Sequence, residues 1–307
     1  MRIEEVSSKY LEELKNIKRY SENTIKSYSE DLNDFLTFCN NNSKIETDQI
    51  TGRFIKSYLM DLSDRKIQVK SGVKNLEKKS ISRKLASLRG LFKYAFSQGI
   101  ISSNPTAYLT NPKISRKLPE ITTEKMILKI YGLAEEDAKL NPETSDKLIK
   151  AVFELLYGCA LRVSELCSLN IGDIDLREKI LRVKGKGNKT RIVPVGDKSV
   201  TVIKDYLSAR NDYLSSEALL TDKKKERLYP RYIYRIVNKY LSKVTDIKKK
   251  SPHILRHSAA THMLDAGADL RAVKDILGHE NLSTTQIYTH VSIERLKSAY
   301  KKSHPKS

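Results

Sequence analysis

The sequence predicts a mainly α-helical protein with one small antiparallel β-sheet, an α+β fold arranged as two domains. The chain has 307 residues, enough for two domains that each bury an apolar core. Apolar residues recur three and four positions apart through most of the chain, as they do on one face of a helix. Residues 171–195 instead alternate apolar and polar side chains, which is the pattern of strands.

Stripes of apolar residues predict three amphipathic helices in the first third of the chain: residues 21–39, Thr51–Leu62 and Ser80–Gln98. Gly99 follows the third helix directly and is expected to stop it, because glycine readily takes the backbone conformation that ends helices. A shorter helix is predicted to begin at Asn104 and Pro105, since proline suits the first helical turn.

A run rich in positive charge lies between Arg65 and Lys93, where ten residues are lysine or arginine and only Glu77 is acidic. Lys84, Ser87 and Lys93 are expected on the outer side of the third helix. Such a run is often only a solvated surface, but basic residues on a helix also suit DNA phosphates and the major groove. Lys84 and Lys93 are therefore candidate DNA-binding residues.

Residues 110–119, TNPKISRKLP, contain two prolines, three basic residues and no periodicity, which is typical of a linker between domains. The predicted first domain is therefore residues 1–109 and the second is residues 120–307. Two domains joined in this way can lie on opposite sides of a DNA duplex.

The second domain is expected to begin with an apolar helix over residues 146–157, followed by ALRVSEL with Arg162 at a helix start. The segments IDLREK, ILRVKGKGNK and TRIVPV predict a small antiparallel sheet with a turn at 185–188. Three lysines crowd that turn: Lys184, Lys186 and Lys189. The turn can be a solvated hairpin or a phosphate grip, and it lacks P-loop spacing. Arg231 begins a further helix whose basic side is a candidate DNA contact.

The composition favours a polyanionic partner, with a net charge of +20 and a pI near 9.6. Basic groups gain affinity for DNA by displacing the counterions condensed on its phosphates. Neither a membrane span nor a signal peptide is predicted, so the protein is expected in the cytoplasm. The three cysteines lack CxxC spacing, which argues against disulfides and zinc knuckles; Cys39 and Cys159 are expected to be buried.

The C-terminal stretch PHILRHSAATHMLDAGADLRAVKDILGHENLSTTQIYTHV holds five of the six histidines. His253 and Arg256 lie three apart, which places them on one face of a predicted helix. A second helix is expected to end at Gly278, directly before His279, and Tyr288 follows. These histidines lack the spacing of a zinc site, so neither a metal nor another cofactor is expected.

Those residue types fit the cleavage of a phosphodiester without a metal ion. The transition state carries extra negative charge on phosphate oxygens, and the planar fork of arginine bonds to two of them at once. The leaving 5′ oxygen needs a proton, which a lysine or a histidine can supply. A tyrosine nucleophile forms an ester that conserves the bond energy, so the reaction needs no ATP and can run backwards.

The segments ALRVSEL, GKGNK, HILRHS, LGH and IYTH, in this order, resemble the tyrosine recombinase (phage integrase) family, and within it the Xer branch. The resemblance covers nearly the whole chain. It departs from the family at Ala160, where glycine is common, and at residues 66–78. These look like extra length before the third helix and are expected to form a loop or a helix extension.

The resemblance implies a role for each residue of the site. Tyr288 would attack the scissile phosphate and form a 3′-phosphotyrosyl bond, while Arg162 and Arg256 would clamp the phosphate oxygens. Lys186 would be the general acid, with Lys184 and Lys189 as alternatives. The remaining roles fall to residues that hydrogen-bond the phosphate or support the site: His253, His279 and Glu165.

The resemblance further implies an N-terminal helical DNA-binding domain, a C-terminal catalytic domain and assembly on double-stranded DNA. The last residues, 292–307, are expected to form a helix that docks on a neighbouring protomer or folds back on its own domain. A tetramer on two DNA sites is expected, built from this chain alone or with a second recombinase, and a DNA translocase is a further candidate partner.

The predicted function is site-specific DNA recombination, with resolution of chromosome dimers as the expected role. Integration of a mobile element is the alternative within the family, by the same chemistry. A type IB-like topoisomerase and a non-catalytic DNA-binding regulator are the rivals outside it. The compact N-terminal bundle favours recombination over relaxation of supercoils, and a pure binding protein has no use for Tyr288.

Overall fold

The computed structural model describes residues 1–69, 72–112, 121–141, 145–185, 189–210, 214, 217–248 and 250–278. Contacts between residues divide the chain into two compact units, Met1–Lys117 and Leu118–Ser307. The described residues of the first unit form a helical bundle with one β-hairpin. Those of the second form a larger helical layer around a three-stranded sheet, so the predicted fold class is confirmed.

Four α-helices build the described part of the first unit: α1 Ile3–Glu12, α2 Glu22–Asn41, α3 Gly52–Asp64 and α4 Lys78–Ser97. The side chains of Ser21 and Thr51 cap α2 and α3 by accepting hydrogen bonds from backbone amides of the first turn. Gly99 follows α4 with φ of 67°, the left-handed conformation expected of a residue that stops a helix. The three predicted helices are thus confirmed, while α1 was not anticipated.

The apolar core of this unit contains aromatic rings that meet edge to face across three helices. The Phe35 ring lies 5.1 Å from that of Tyr58 and 6.2 Å from that of Phe92, which joins α2, α3 and α4. All three side chains are fully buried. Such pairs contribute about 0.5–1.5 kcal/mol beyond the burial of their area.

Two local predictions in this unit are wrong. The extra residues after α3 form neither a loop nor a helix extension, but a two-stranded antiparallel hairpin, β1 Lys66–Val69 and β2 Gly72–Asn75. No helix begins at Asn104. Its side-chain oxygen instead accepts hydrogen bonds from the amide and hydroxyl of Thr106 at 2.9 and 2.8 Å, which closes a turn.

The predicted outer side of α4 is also wrong in part. Ser87 is fully buried and donates a hydrogen bond to Asp31, a buried carboxylate on α2, at 2.9 Å. The side chain of Lys84 is only 13% exposed, and its Nζ lies 2.8 Å from Asp34 and 3.4 Å from Asp31. Lys93, by contrast, is exposed as expected.

The two aspartates on α2 collect basic side chains from the neighbouring helices. Arg83 bonds to Asp31 at 2.5 Å, and Arg65 bonds to Asp34 at 2.6 Å. Burial alone would raise the pKa of Asp34, but hydrogen bonds from Lys84 and Arg65 outweigh it and hold that pKa below its ordinary value. Three of the ten basic residues between 65 and 93 are therefore paired with carboxylates of the bundle itself.

Seven α-helices and three strands build the described part of the second unit. The helices are α5 Glu124–Leu140, α6 Asp146–Phe153, α7 Val163–Ser168, α8 Asp197–Ser208, α9 Pro230–Val244, α10 Pro252–Asp265 and α11 Leu270–Leu277. The strands β3 Ile174–Asp175, β4 Ile180–Lys184 and β5 Thr190–Pro194 form an antiparallel sheet in sequence order, with Val183 opposite Arg191. The predicted sheet and the helices that begin near residues 146, 231 and 252 are confirmed.

The core of the second unit brings the site-bearing elements together. Phe153 of α6 packs edge to face on Tyr240 of α9 at 6.4 Å, and Val183, Leu255 and Ile276 belong to the same buried cluster. These residues come from five elements, so α10, α11 and the sheet share one apolar interior.

Cys39 and Cys159 are buried, as predicted.

Replacement of Lys84 by glutamine should lower the free energy of unfolding by about 1.5–3 kcal/mol, the usual value of a hydrogen bond to a charged group. The change leaves Asp31, which is 1% exposed, with less compensating charge. Urea denaturation of wild type and Lys84→Gln measures the difference in the free energy of unfolding. Lys93→Gln is the matched control and should change stability by less than about 0.5 kcal/mol. Equal losses for the two variants would show that the contacts of Lys84 with Asp31 and Asp34 contribute nothing specific to stability.

Candidate active site

The structure describes four of the residues predicted for the active site: Arg162, Glu165, His253 and Arg256. Lys186, His279 and Tyr288 lie outside the described residues. The four described residues stand on α7 and α10, and they meet the sheet and the end of α11 through hydrogen bonds.

Arg162 stands at the N-terminus of α7, after a turn in left-handed backbone. The helix α6 continues as a π-helical turn, Glu154–Gly158, and Ala160 has φ of 50°. This conformation carries a cost for any residue with a β-carbon, which explains why glycine suits the position. The turn directs the carbonyl of Ala160 to Arg256, whose Nη1 donates to it at 2.7 Å.

The carboxylate of Glu165 lies at the centre of the site and is only 4% exposed. It accepts hydrogen bonds from the backbone amide and Nη1 of Arg162 at 2.8 and 2.7 Å. Arg191 of β5 makes two parallel bonds to it, at 2.7 and 2.8 Å, and Nη1 of Arg256 approaches it at 3.4 Å. One buried carboxylate therefore holds three guanidinium groups from three different elements.

The same three arginines also donate to the last carbonyl groups of α11. Arg191 Nε bonds to Ile276, Arg256 Nη2 to Leu277, and Arg162 Nη2 to Gly278. These carbonyls have no partner within a helix and carry the negative end of its dipole, so positive side chains stabilise them. Gly278 itself ends α11 with φ of 60°.

The cluster keeps a positive charge because three guanidinium groups face one carboxylate, which leaves two charges uncompensated. Burial alone would raise the pKa of Glu165, but the bonds from Arg191 and Arg162 hold it below its ordinary value. Burial, with repulsion from Arg162, lowers the pKa of Arg256 to about 10. The cluster thus has a net positive charge, which favours the binding of an anion.

His253 lies one turn before Arg256 on α10, which begins with Pro252 in its first turn. The imidazole is exposed, whereas Arg256 is buried with 7% exposure. Both residues therefore stand on one helix, as predicted, but their side chains differ in their access to solvent. An exposed imidazole beside a buried arginine is available to a ligand that reaches the site from solvent.

The remaining candidate residues lie at the surface. The hairpin between β4 and β5 is closed by a hydrogen bond from the Gly185 amide to the Lys189 carbonyl at 2.8 Å. Lys184 and Lys189 are exposed beside it, and Arg231 is exposed on α9. All three are accessible to a large anionic partner.

Arg191 is part of the site, but sequence reasoning treated it only as a strand residue. Its side chain is 9% exposed, and it occupies the position opposite Val183, which is fully buried. Residues directly opposite in a sheet share a face. Arg191 could therefore have been recognised as an arginine that lies opposite an inward-facing valine in the predicted sheet.

Comparison with known proteins identifies the family. A model described as the phage integrase family matches residues 120–295, and one described as the phage integrase N-terminal SAM-like domain matches residues 8–99. The chain belongs to the phage integrase family. The predicted family is thereby confirmed, and with it the predicted class of enzyme, a tyrosine-type site-specific recombinase.

Relatives resemble the chain over nearly its full length. A protein of Thermodesulfovibrio yellowstonii called tyrosine recombinase XerC is 38% identical over 97% of this chain and 95% of its own. Another with that name, from Natranaerobius thermophilus, is 38% identical over 97% of this chain and 98% of its own. The predicted Xer branch agrees with these names.

Solved structures share the fold. The Tn1549 transposon integrase in complex with transposon right end DNA superposes with a TM-score of 0.70, at 18% identity, over 92% of each chain. The XerH site-specific recombinase bound to its difH substrate superposes with a TM-score of 0.66, at 24% identity, over 95% of this chain and 83% of that one.

Within the described residues, no helix is both long and apolar enough to cross a membrane.

Replacement of Glu165 by glutamine should lower the free energy of unfolding by about 3–5 kcal/mol at neutral pH, because it leaves buried arginines without their counter-charge. The folded-state pKa of Glu165 lies below the ordinary 4.5, so this contribution is complete above about pH 4.5 and is lost as the pH falls through the folded-state value. Denaturant titrations of both proteins across this range measure the difference.

The control for this measurement is Glu136→Gln, because Glu136 is an exposed acid on α5 of the same unit. Its difference from wild type should stay within about 0.5 kcal/mol at every pH. A stability gap for Glu165→Gln that stays constant down to strongly acidic pH would contradict the assigned charge of Glu165.

Proposed function

We propose that this recombinase cleaves and rejoins double-stranded DNA through Tyr288, with Arg162 and Arg256 holding the scissile phosphate. The convergence of these two arginines on Glu165 is the observation that carries the proposal. Lys186 donates the proton that the leaving 5′ oxygen requires, and His253 and His279 hydrogen-bond the phosphate. Glu165 supports the two arginines without touching the DNA.

The described contacts leave the two arginines with donors for a phosphate. A guanidinium group carries five N–H bonds. Within the described residues, the side chain of Arg162 uses one N–H on Glu165 and one on Gly278. Arg256 uses three, on Ala160, Glu165 and Leu277. The N–H groups that remain on both side chains are oriented by bonds already formed, so phosphate binding needs little reorganisation.

The charge of the cluster suits the transition state. Attack by the phenolate of Tyr288 forms a bond between its oxygen and phosphorus, and the bond from phosphorus to the 5′ oxygen breaks. A second negative charge builds up on the non-bridging oxygens during this step, and two uncompensated positive charges face it. A preorganised donor of this kind is worth about 2.7–4 kcal/mol of transition-state stabilisation. The phosphotyrosyl ester keeps the bond energy, so a free 5′ hydroxyl can reverse the step.

Lysines at the surface of the first unit are proposed to hold the DNA. Four lie on the β1–β2 hairpin and the start of α4, and all are exposed: Lys66, Lys74, Lys78 and Lys79. Lys93 extends this basic surface along α4, and Lys184, Lys189 and Arg231 supply basic groups on the second unit. Lys84 is left out, because its charge is used within the bundle.

We further propose a tetramer on two DNA sites that resolves chromosome dimers, which places the protein in the cytoplasm with the chromosome. The relatives called XerC support this role, and so does the fold shared with XerH, a recombinase that binds a specific substrate site, difH. Residues 292–307, outside the described residues, are proposed to join neighbouring protomers. A second recombinase and a DNA translocase are the proposed further partners.

A suicide substrate with a nick beside the cleavage site tests the chemistry, once the site has been selected from genomic DNA by binding. Wild type should form a covalent adduct with the 3′ end, because the nicked fragment diffuses away and cannot rejoin. Tyr288→Phe should bind the same DNA and form no adduct. An adduct that persists in Tyr288→Phe would assign the nucleophile to another residue.

The double change Lys66→Gln and Lys74→Gln tests the proposed DNA surface. Each lost phosphate contact should reduce the slope of log K against log salt by about 0.9, so the slope should fall by about 1.8. Binding titrations at several salt concentrations measure this. Lys9→Gln with Lys15→Gln removes the same charge from exposed positions around α1. Equal changes of slope in the two double variants would exclude a specific role for the hairpin.

A further inference from the structure

Arg191 makes contacts unlike those of the two arginines proposed to hold the phosphate. Both of its terminal nitrogens bond to Glu165, at 2.7 and 2.8 Å, and its Nε bonds to the Ile276 carbonyl at 2.9 Å. The side chain is 9% exposed, compared with 34% for Arg162 and 8% for Arg256, so the paired bonds to Glu165 rather than burial distinguish it. Its fork is thus turned towards protein groups on α7 and α11.

We propose that Arg191 is a positioning residue for DNA cleavage, which occupies Glu165 and thereby leaves Arg162 and Arg256 free to hold the phosphate. The inference rests on the proposed function of those two arginines. Arg191 itself does not touch the DNA. It acts on the reaction through the carboxylate that all three guanidinium groups share.

The capacity of the carboxylate supports this role. A carboxylate offers about four lone-pair sites. Arg191 takes one on each oxygen, and the amide and Nη1 of Arg162 take the other two. The contact from Arg256, at 3.4 Å, is a fifth and the longest. Without Arg191, the vacated sites would draw further N–H groups from Arg162 and Arg256. The carboxylate would then compete with the phosphate for those N–H groups.

The charge of the cluster gives a second reason. With Arg191, three positive groups and one negative group leave two positive charges for the phosphate. Without it, only one remains, while the transition state carries two negative charges. Lysine would restore the charge but not the two parallel bonds that fix the plane of the carboxylate.

Arg191 also lies between two segments that lead to residues of the proposed mechanism. A β-carbon at Gly278 would lie 3.0 Å from Cδ of Arg191, and one at Gly185 would lie 3.7 Å from its Nη1. Gly278 precedes His279, and Gly185 precedes Lys186. The close approach at Gly278 fixes the end of α11 against β5, where a side chain would displace the guanidinium group.

The test compares Arg191→Met, Arg191→Lys, Glu165→Gln and the double variant of Arg191→Met with Glu165→Gln in single-turnover cleavage of the suicide substrate. Arg191→Met should bind DNA within about threefold of wild type but cleave about 10²-fold more slowly, the scale of a lost preorganised donor. Arg191→Lys should recover part of that loss. Arg177→Met, an exposed arginine beside the same sheet, is the matched control and should cleave at the wild-type rate.

The double variant separates positioning from a general structural role. If Arg191 acts through Glu165, the double variant should cleave no more slowly than the slower single variant, since an uncharged glutamine attracts the other arginines much less than a carboxylate does. Losses that multiply would overturn the inference, as would wild-type cleavage by Arg191→Met. Cleavage is measured below the melting range of every variant, so that unfolding does not enter the comparison.

A measurement without DNA keeps this inference distinct from the proposed function. Inorganic phosphate should raise the melting temperature of wild type and of Arg177→Met, because it binds the arginine pair in the folded state. Arg191→Met should show little or none of this shift. A full shift in Arg191→Met would overturn the inference even if cleavage could not be measured. A wild-type protein that shows the shift but forms no adduct would overturn the proposed function alone.

Discussion

The geometry of the site depends on one buried carboxylate among three arginines. Glu165 reaches α10, β5 and its own helix at once, and the same arginines hold the end of α11. A buried ion pair is a weak source of stability, because desolvation offsets most of its attraction. Here the ion pairs fix the directions of the arginine N–H groups, which an apolar cluster of the same volume would not do.

The first unit also contains carboxylates that are surrounded by basic side chains. Asp31 and Asp34 on α2 collect Arg65, Arg83 and Lys84 from α3 and α4. These contacts join helices to one another, because the charges of the basic groups are largely balanced by the two carboxylates. A count of basic residues along the chain therefore overstates the charge that faces a partner. The exposed lysines of the hairpin carry more of that surface than the partly buried face of α4.

Periodicity was enough to predict most helices, the small sheet and the helical positions of Arg162 and Arg256, because each follows from local pattern and spacing. It was not enough for the hairpin at residues 66–75, where the second strand has no buried face to impose alternation. Arg191 was missed because it is a charged residue at a position where the alternating pattern predicts an apolar one. A charged residue on an inward-facing position contradicts the pattern and is explained only by Glu165, 26 residues away along the chain.

The end of α11 links the phosphate site to the chain that follows it. The carbonyls of Leu277 and Gly278 accept bonds from Arg256 and Arg162, the arginines proposed to hold the phosphate. The C-terminal end of α11 is therefore fixed by those two arginine side chains. The proposed cleavage requires such fixed positions, because an error of about 1 Å in the placement of a reacting group can cost about 10²-fold in rate. The arginine cluster thus combines two properties that the proposed reaction needs, since it carries positive charge and fixes the last described residue before the chain continues towards Tyr288.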